Sequence, residues 1–230
     1  MRRLLSLLIL PCLTLAMFQV ASAPGSAADP PTTALVTKQT DDGQIAGWKF
    51  YCEKEGTPIG DVWKLQDGVL TCQGTPKGYL FTTKDYRNFT LTLEWRWLPD
   101  KKPGNGGVLV RMTGKHKIWP KSLEAQLNAG QAGDFWGLDG YHLAGPQERS
   151  KALEHEQFGK LINVQKQTDL EKPAGEWNKY EIIARDGRVT LKVNDKVVNE
   201  AQECDLDAGP ICLTAEGDPI QFRNIQLSEQ

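Results

Sequence analysis

The sequence reads as an all-β sandwich of two antiparallel sheets behind an export segment. Three patterns point to this. Apolar residues recur with period two along nearly the whole chain beyond residue 46, turn signals cut that pattern into short runs, and the first 28 residues have the make-up of a secretory leader.

The leader comes first. Arg2 and Arg3 precede an apolar run from Leu4 to Val20, and small residues follow from Ala21 to Ala28. Ala21-Ser22-Ala23 resembles a cleavage motif, but Pro24 behind it blocks a signal peptidase. Cleavage is therefore expected after Ala28 and a mature start near Asp29. A retained anchor is the alternative, because the apolar run approaches a short spanning helix in length. Lipid attachment at Cys12 is not favoured, since Pro11 stands where a small residue is required. Removing Arg2 and Arg3 from the 27 basic residues, against 29 acidic ones, takes the formal charge from −2 to −4. That charge gives no reason to expect a nucleic-acid or anionic-membrane partner. About 200 residues are left, enough for one well-buried domain.

An exported chain, periplasmic or extracellular, oxidises its thiols. Loss of Cys12 leaves Cys52, Cys72, Cys204 and Cys212, an even set that predicts two disulfides with three possible connectivities. Two local loops, Cys52 with Cys72 and Cys204 with Cys212, are preferred. A zinc site is the weaker alternative, because no pair has C-x-x-C spacing and no histidine is nearby.

Residues 29–45 are polar, carry Pro30 and Pro31 and show no periodicity, which predicts a flexible lead-in. The sandwich is placed at 46–230. Phe89, Leu91, Leu93, Trp95 and Trp97 alternate with polar residues, the mark of a strand with one buried face. The same alternation in 180–184 and 189–193, around Asp186-Gly187, predicts a hairpin. A second hairpin is expected between 211–215 and 220–222 through Glu216-Gly217-Asp218-Pro219, with a bulge near Arg223 and Asn224 where the apolar parity shifts. Residues 128–176 form a long excursion. Its charged middle, Gln147 to Phe158, suggests a helical turn or two, and so long a connection usually lines a binding site.

With the strands placed, the order of short motifs becomes informative. Trp63-x-x-x-Asp67-Gly68-Val69-Leu70, Leu80-x-Thr82, Tyr86-x-x-Phe89, Asn105-Gly106-Gly107-Val108-x-x-Arg111, Glu124-x-Gln126, Gly140-Tyr141, Glu176-Trp177-Asn178 and Phe222-Arg223-Asn224-Ile225 together resemble the 3-keto-disaccharide hydrolase family. The likeness runs from about Gly47 to Leu227. It implies a concanavalin A-like jelly roll with a carbohydrate cleft, and activity on sugars oxidised at the third ring carbon. One departure is visible: Gly106 stands where the family commonly has serine, so a hydroxyl is missing.

Within that frame the candidate residues follow. In Ser122-Leu123-Glu124-Ala125-Gln126-Leu127 a strand sets Glu124 and Gln126 side by side on one face. A carboxylate that moves a proton then stands beside an amide that fixes a hydroxyl. A solvated outer face is the plain alternative, and the resemblance at this motif favours the site. Arg111 ends an apolar strand and must pair in the core or reach the cleft, with Glu124 as the attractive partner. Trp119 and Lys121 precede the strand, and Asp134 and Trp136 follow it. Aromatic faces beside carboxylates and amides suit the apolar faces of sugar rings. Tyr141 and His142 lie in the long excursion and are weaker candidates for an acid.

The resemblance implies a glycosidic bond broken next to a ketone: a base removes the C2 proton and the enolate expels the group at C1. Glu124 is expected as base, Arg111 as enolate stabiliser, and Asn105 and Gln126 as orienting groups. A non-catalytic carbohydrate-binding domain on the same fold is the competing reading, and a conventional glucanase is third. No metal-ligand spacing, nucleotide fingerprint or serine nucleophile elbow is present. No cofactor is expected, with a divalent metal left open.

Overall fold

A computed structural model describes residues 31–230. The leader, its cleavage point and the start of the lead-in lie outside the described residues. In chain order the strands are β1 (Thr32–Ala34), β2 (Trp48–Cys52), β3 (Trp63–Gln66), β4 (Val69–Cys72), β5 (Gly78–Thr82), β6 (Phe89–Trp97), β7 (Gly107–Val110) and β8 (Ser122–Gln126). They continue as β9 (Phe135–Leu138), β10 (Ser150–His155), β11 (Gly159–Val164), β12 (Asn178–Arg185), β13 (Arg188–Val193), β14 (Lys196–Ala201), β15 (Cys212–Ala215) and β16 (Ile220–Glu229). Among the described residues the helical segments are one turn at Ile59–Val62 and a 3-10 turn at Gln147–Arg149.

The strands form two antiparallel sheets. The first runs β14-β13-β12-β6-β16-β4-β3, with β1 also on β16, and the second runs β10-β11-β9-β8-β7-β15-β5-β2. Period two explains the first sheet directly. Phe89, Leu91, Leu93, Trp95 and Trp97 of β6 are buried while the residues between them are half-exposed. Their inward faces meet Val108, Val110, Leu123 and Ala125 of the second sheet in one apolar core. The central strands of the second sheet break the half-buried pattern, since β7 and β8 are buried at every position. Something therefore covers the outer face of this sheet. A satellite cluster around Tyr79, Leu109, Met112, Leu138 and Leu161, with Trp119, Trp136 and Phe158 packed against it, forms the cover.

Several expectations hold. β12 and β13 pair as a hairpin from Tyr180 opposite Val193 to Arg185 opposite Arg188. The parity shift near Arg223 is a register break between Arg223 and Gln226, with Asn224 at φ 52°.

Others are corrected. Part of the lead-in is ordered, because Thr32–Ala34 pair with Ser228–Gln226: β-ladder bonds need no apolar period. Gln147 to Phe158 make only the 3-10 turn and then β10, which pairs with β11. β15 and β16 are not a hairpin. β15 pairs with β5 and β7 in the second sheet, and β16 with β4 and β6 in the first. The turn 216–219 therefore crosses between sheets at the edge of the core. Trp177 is half-buried, with the guanidinium groups of Arg96 and Arg223 stacked 4.5 and 4.1 Å from its ring.

The two disulfides are absent. All four cysteines are thiols, because the pairs lie close in sequence but their strands diverge. Cys52 is in β2 of the second sheet and Cys72 in β4 of the first, and Cys212 packs its sulfur 3.8 Å from Met112 Sδ. Burial pushes the Cys72 and Cys204 thiols up to about 12. They are inert packing groups.

Candidate functional site

The site begins with β8. Glu124 pairs across to Leu109 of β7 on one side and to Trp136 of β9 on the other. Leu123 and Ala125 face the core, so Ser122, Glu124 and Gln126 share the outer face, as period two requires. That face is not solvated. Glu124 is 4% exposed and Gln126 7%, because Trp119 from the segment after β7 and Phe158 from the β10–β11 tip meet over it with ring centroids 4.1 Å apart. Trp119 has φ 57°, a left-handed backbone that a bulky residue seldom adopts.

A missing side chain lets Glu124 turn sideways. A Cβ at Gly107 would lie 2.2 Å from Glu124 Oε1 and 2.9 Å from its Cγ. The carboxyl therefore lies across β7 in the space that glycine leaves open. Beyond it stands Glu216, delivered by the turn that crosses between the sheets. The carboxyls are close enough to hydrogen-bond through a shared proton. Asn105 holds Glu216 in place: its amide nitrogen donates to Glu216 Oε2, and its backbone N–H donates to Asp218 Oδ2 at 3.3 Å.

The pair faces a recess of about 190 Å³ whose lining includes Asn105, Trp119, Glu124, Gln126, Trp136 and Glu216. Gln126 accepts the Leu127 and Asn128 N–H groups on its amide oxygen at 3.0 and 3.1 Å, which leaves its NH₂ for a ligand. Asn128 and Gln131 add further amides to the lining. Among the described residues Asn105 Oδ1 and Trp136 Nε1 of this recess are buried with no partner. Leaving such atoms unpaired costs about 1–3 kcal/mol each. Their presence in one recess marks a site built for a polar ligand.

Electrostatics divides the two carboxyls. Burial pushes Glu124 well above the ordinary carboxylate range, and the negative Glu216 beside it pushes further. Burial also raises Glu216, but hydrogen bonds from Thr214, Trp119 and Asn105 and the charge of Lys77 oppose the rise. Both carboxyls are raised, Glu124 the further of the two, so when the pair carries one proton the balance favours it on Glu124 and the charge on Glu216.

The expected site residues therefore separate into two groups. Glu124, Gln126, Asn105, Trp119 and Trp136 come together, the last of them in β9. Arg111, Lys121, Tyr141 and His142 gather instead around Asp205. Arg111 has φ 53°, which turns it out of the strand alternation and away from Glu124. Its Nε and Nη2 donate to Arg87 O at 3.0 and 2.8 Å, and its Nη1 donates to Asp205 O at 2.9 Å. Lys121 pairs with Asp205 at 2.9 Å, Tyr141 donates to Asp205 O at 3.1 Å, and the His142 backbone N–H donates to Asp205 Oδ2 at 3.2 Å. Asp134 also misses the recess, since its carboxylate accepts the Lys166 N–H at 2.9 Å.

Arg111 is thus a structural pin between two loops, and not a partner of Glu124. Arg111→Lys cannot reproduce the planar fork over two carbonyls. It should destabilise the fold by roughly 2–4 kcal/mol and lower the melting temperature by about 5–12 °C. A variant melting like the wild type would refute the pin.

The serine missing at 106 matters little to the recess. A Cβ there would face Ile220 and Trp97 at 3.5 and 3.7 Å, on the core side. Glu216 went unread because it sits in what looks like an ordinary hairpin turn. Its signal was the acidic Glu-Gly-Asp-Pro run directly after a strand that is buried throughout. Among the described residues no cluster of three or more His, Cys, Asp or Glu is placed to hold a metal, and no helix is long and apolar enough to cross a membrane.

Two stacked antiparallel sheets with a polar recess on the outer face of one make a concanavalin A-like jelly roll. The chain belongs to the 3-keto-α-glucoside-1,2-lyase-like domain family, whose model matches residues 36–228. No curated protein matches it. Among solved structures it is similar to a candidate glycosyl hydrolase from Parabacteroides distasonis, at 20% identity and a TM-score of 0.60 over 87% of this chain and 100% of that one. The carbohydrate-binding module CBM66 of Bacillus subtilis is 11% identical with a TM-score of 0.57, over 80% of this chain and 96% of that one. A β-glucanase of Bacillus licheniformis is 9% identical with a TM-score of 0.56, over 89% and 100%. At these identities the neighbours speak for the fold alone.

Proposed function

We propose that the protein cleaves 3-keto-glycosides by elimination, with the carboxyl pair as its proton-transfer machinery. The observation that carries this reading is the contact between Glu124 and Glu216. Ordinary glycosidases hold their two carboxyls at least ~5 Å apart so that the scissile bond fits between them. A hydrogen-bonded pair leaves no such gap, but it offers a base and an acid side by side.

The 3-ketone makes the C2–H bond acidic. Glu216, the charged partner, takes the C2 proton, and the electron pair moves into a C2–C3 enolate. The enolate re-forms the ketone as a C1–C2 double bond develops and the C1–O bond breaks, and the departing oxygen takes the proton of Glu124. The products are an alcohol and a 3-keto-1,2-ene, with both protons accounted for. The role of base thus passes from Glu124, where the sequence alone put it, to Glu216, because hydrogen bonds from its neighbours oppose the effect of burial at Glu216 and not at Glu124. The amides of Gln126, Asn128 and Gln131 orient ring hydroxyls, and Trp136 offers an apolar face. An exported setting, expected from residues 1–28, belongs to the same proposal.

A carbohydrate-binding module has no need of two carboxyls forced together out of water, at a cost of several kcal/mol. The test is incubation of the pure protein with a 3-keto-glycoside and with its unoxidised parent, each with and without chelator. Release of the alcohol from the oxidised sugar alone is expected. Binding without release would favour the carbohydrate-binding alternative and sink the enzymatic reading.

A further inference from the structure

The long connection 128–176 brings its two ends together beside the recess. Its first residues make a turn from which Asn128 and Gln131 reach the lining. The Gln131 N–H donates to Asn128 O at 2.7 Å, and Asn128 Nδ2 donates to Gln131 Oε1 at 3.1 Å. That second bond engages the Asn128 NH₂ and the Gln131 oxygen, so an acceptor on Asn128 and a donor on Gln131 remain for a ligand. Between the two residues the chain passes through Gly130, which is exposed, has φ 75° and has nothing within 4 Å of where a Cβ would stand. Packing does not hold the turn at this point. Polar side chains do.

The far end of the connection supplies them. Glu171 accepts the Gly130 N–H on Oε2 at 2.8 Å and the indole N–H of Trp97, a buried residue of β6, on Oε1 at 3.1 Å. Lys166 donates from Nζ to the Gly130 carbonyl at 2.8 Å and to Asp169 Oδ1 at 3.0 Å. Both peptide groups flanking Gly130 are therefore gripped, one by a carboxylate and one by an ammonium. The grip has its own footing, because the Gln167 N–H donates to Val198 O at 2.8 Å and Asn194 Nδ2 donates to Leu170 O at 2.7 Å. On its other side the turn reaches the carboxyl pair: the Ala129 N–H donates to Gly104 O at 2.9 Å, one residue before the Asn105 that holds Glu216. Ordering two long charged side chains around one glycine costs conformational freedom and desolvation, and the Lys166 side chain is only 12% exposed. A turn whose side chains must meet a ligand in a fixed orientation gains from that expense.

We infer that Glu171 is a positioning residue, which locks the 128–131 turn so that Asn128 and Gln131 present one acceptor and one donor to hydroxyls of the bound ring, a role that rests on the recess being the substrate site. Glu171 is not part of the recess lining and acts only through Gly130. Its contribution is to binding and not to the chemical step, because the amides meet hydroxyls whose bonds do not change in the elimination. Ground state and transition state gain equally from such contacts, so their loss appears in KM and leaves kcat in place.

The test is the kinetics of Glu171→Ala on a 3-keto-glycoside. KM should rise roughly three- to tenfold while kcat stays within about twofold of wild type. Glu171→Gln keeps an acceptor for the Gly130 N–H and should recover most of the loss. Melting curves show whether each variant is folded, and Lys166→Met, which keeps the stem but not the donor to Gly130, supplies the comparison if Glu171→Ala is not. In a protein already lacking both amides, Asn128→Ala with Gln131→Ala, the further change Glu171→Ala should move KM by less than about twofold, since no amide is left to position. An unchanged KM in folded Glu171→Ala overturns the inference, as does a fall in kcat at constant KM or a loss that multiplies in the background without the amides. Binding separates this inference from the reading it deepens. If the wild type binds the sugar without cleaving it, the elimination fails and the same series is read as Kd by titration calorimetry, where a rise in Glu171→Ala that vanishes without the amides still supports the positioning role. If the wild type cleaves the sugar and KM ignores Glu171, the elimination stands and the positioning role falls.

Discussion

Glu216→Gln should lose roughly 10²–10⁴-fold in turnover of a 3-keto-glycoside, and Glu124→Gln should lose as much, while both still bind the sugar. An amide keeps the size and hydrogen bonds of a carboxyl, but at 216 it cannot accept the C2 proton and at 124 it cannot supply one to the leaving oxygen. The two losses should not multiply, because the residues act as one unit. Exchange of the C2 proton with deuterated solvent distinguishes them. Glu216→Gln should abolish exchange together with cleavage, whereas Glu124→Gln should retain some exchange because its base is intact. Turnover by Glu216→Gln at the wild-type rate would remove Glu216 as the base.

The same pair carries a pH signature on stability. Both carboxyls are raised by burial, so between the ordinary carboxylate range and their folded values the native state binds more protons than the unfolded chain. Stability from this source is full at low pH and is lost as pH rises through that window. The melting temperature of wild type should therefore fall on going from pH 4 towards neutrality by more than that of Glu124→Gln, whose amide donates to Glu216 without titrating.

The residues show why some of this was legible and some was not. Period two placed β6, β12 and β13 correctly because one face of each meets the core and the other meets polar surroundings. It also put Glu124 and Gln126 on one face, a local consequence of strand geometry. What failed was everything that depends on which strand lies beside which. β15 and β16 look like a hairpin because they are adjacent in sequence with a turn between them, yet they pair in different sheets. That hid Glu216, since a residue read as a hairpin tip has no reason to meet a residue 92 positions earlier. Arg111 was misplaced for a different reason. Alternation assumes extended backbone, and one residue at φ 53° rotates the side chain out of the pattern. The cysteines failed because proximity in sequence was taken for proximity in space.

Gly107→Ala should be the most damaging small substitution near the site, with a loss of roughly 10²-fold in turnover. Gly107 has no positive φ among the described residues, so alanine meets no backbone strain there. The damage comes from contact: its Cβ would fall 2.2 Å from Glu124 Oε1, 2.9 Å from Cγ and 3.0 Å from the carboxyl carbon. These atoms cannot remain where they are, and β7 cannot move, because Gly107 is tied at its N–H and its carbonyl to Thr214 Oγ1 at 2.6 and 3.1 Å. The carboxyl must swing off β7, away from Glu216 and into the recess, losing its proton-sharing partner and occupying space meant for the sugar. KM should therefore rise along with the fall in kcat, unlike the Glu124→Gln result. Gly106→Ala is the matched control, since its Cβ meets only ordinary contacts on the core side, at 3.5 Å or more, and should leave turnover within a few-fold of wild type. Equal activity of Gly107→Ala and Gly106→Ala would show that the carboxyl of Glu124 does not need its place across β7, and with it the arrangement of the whole pair would fall.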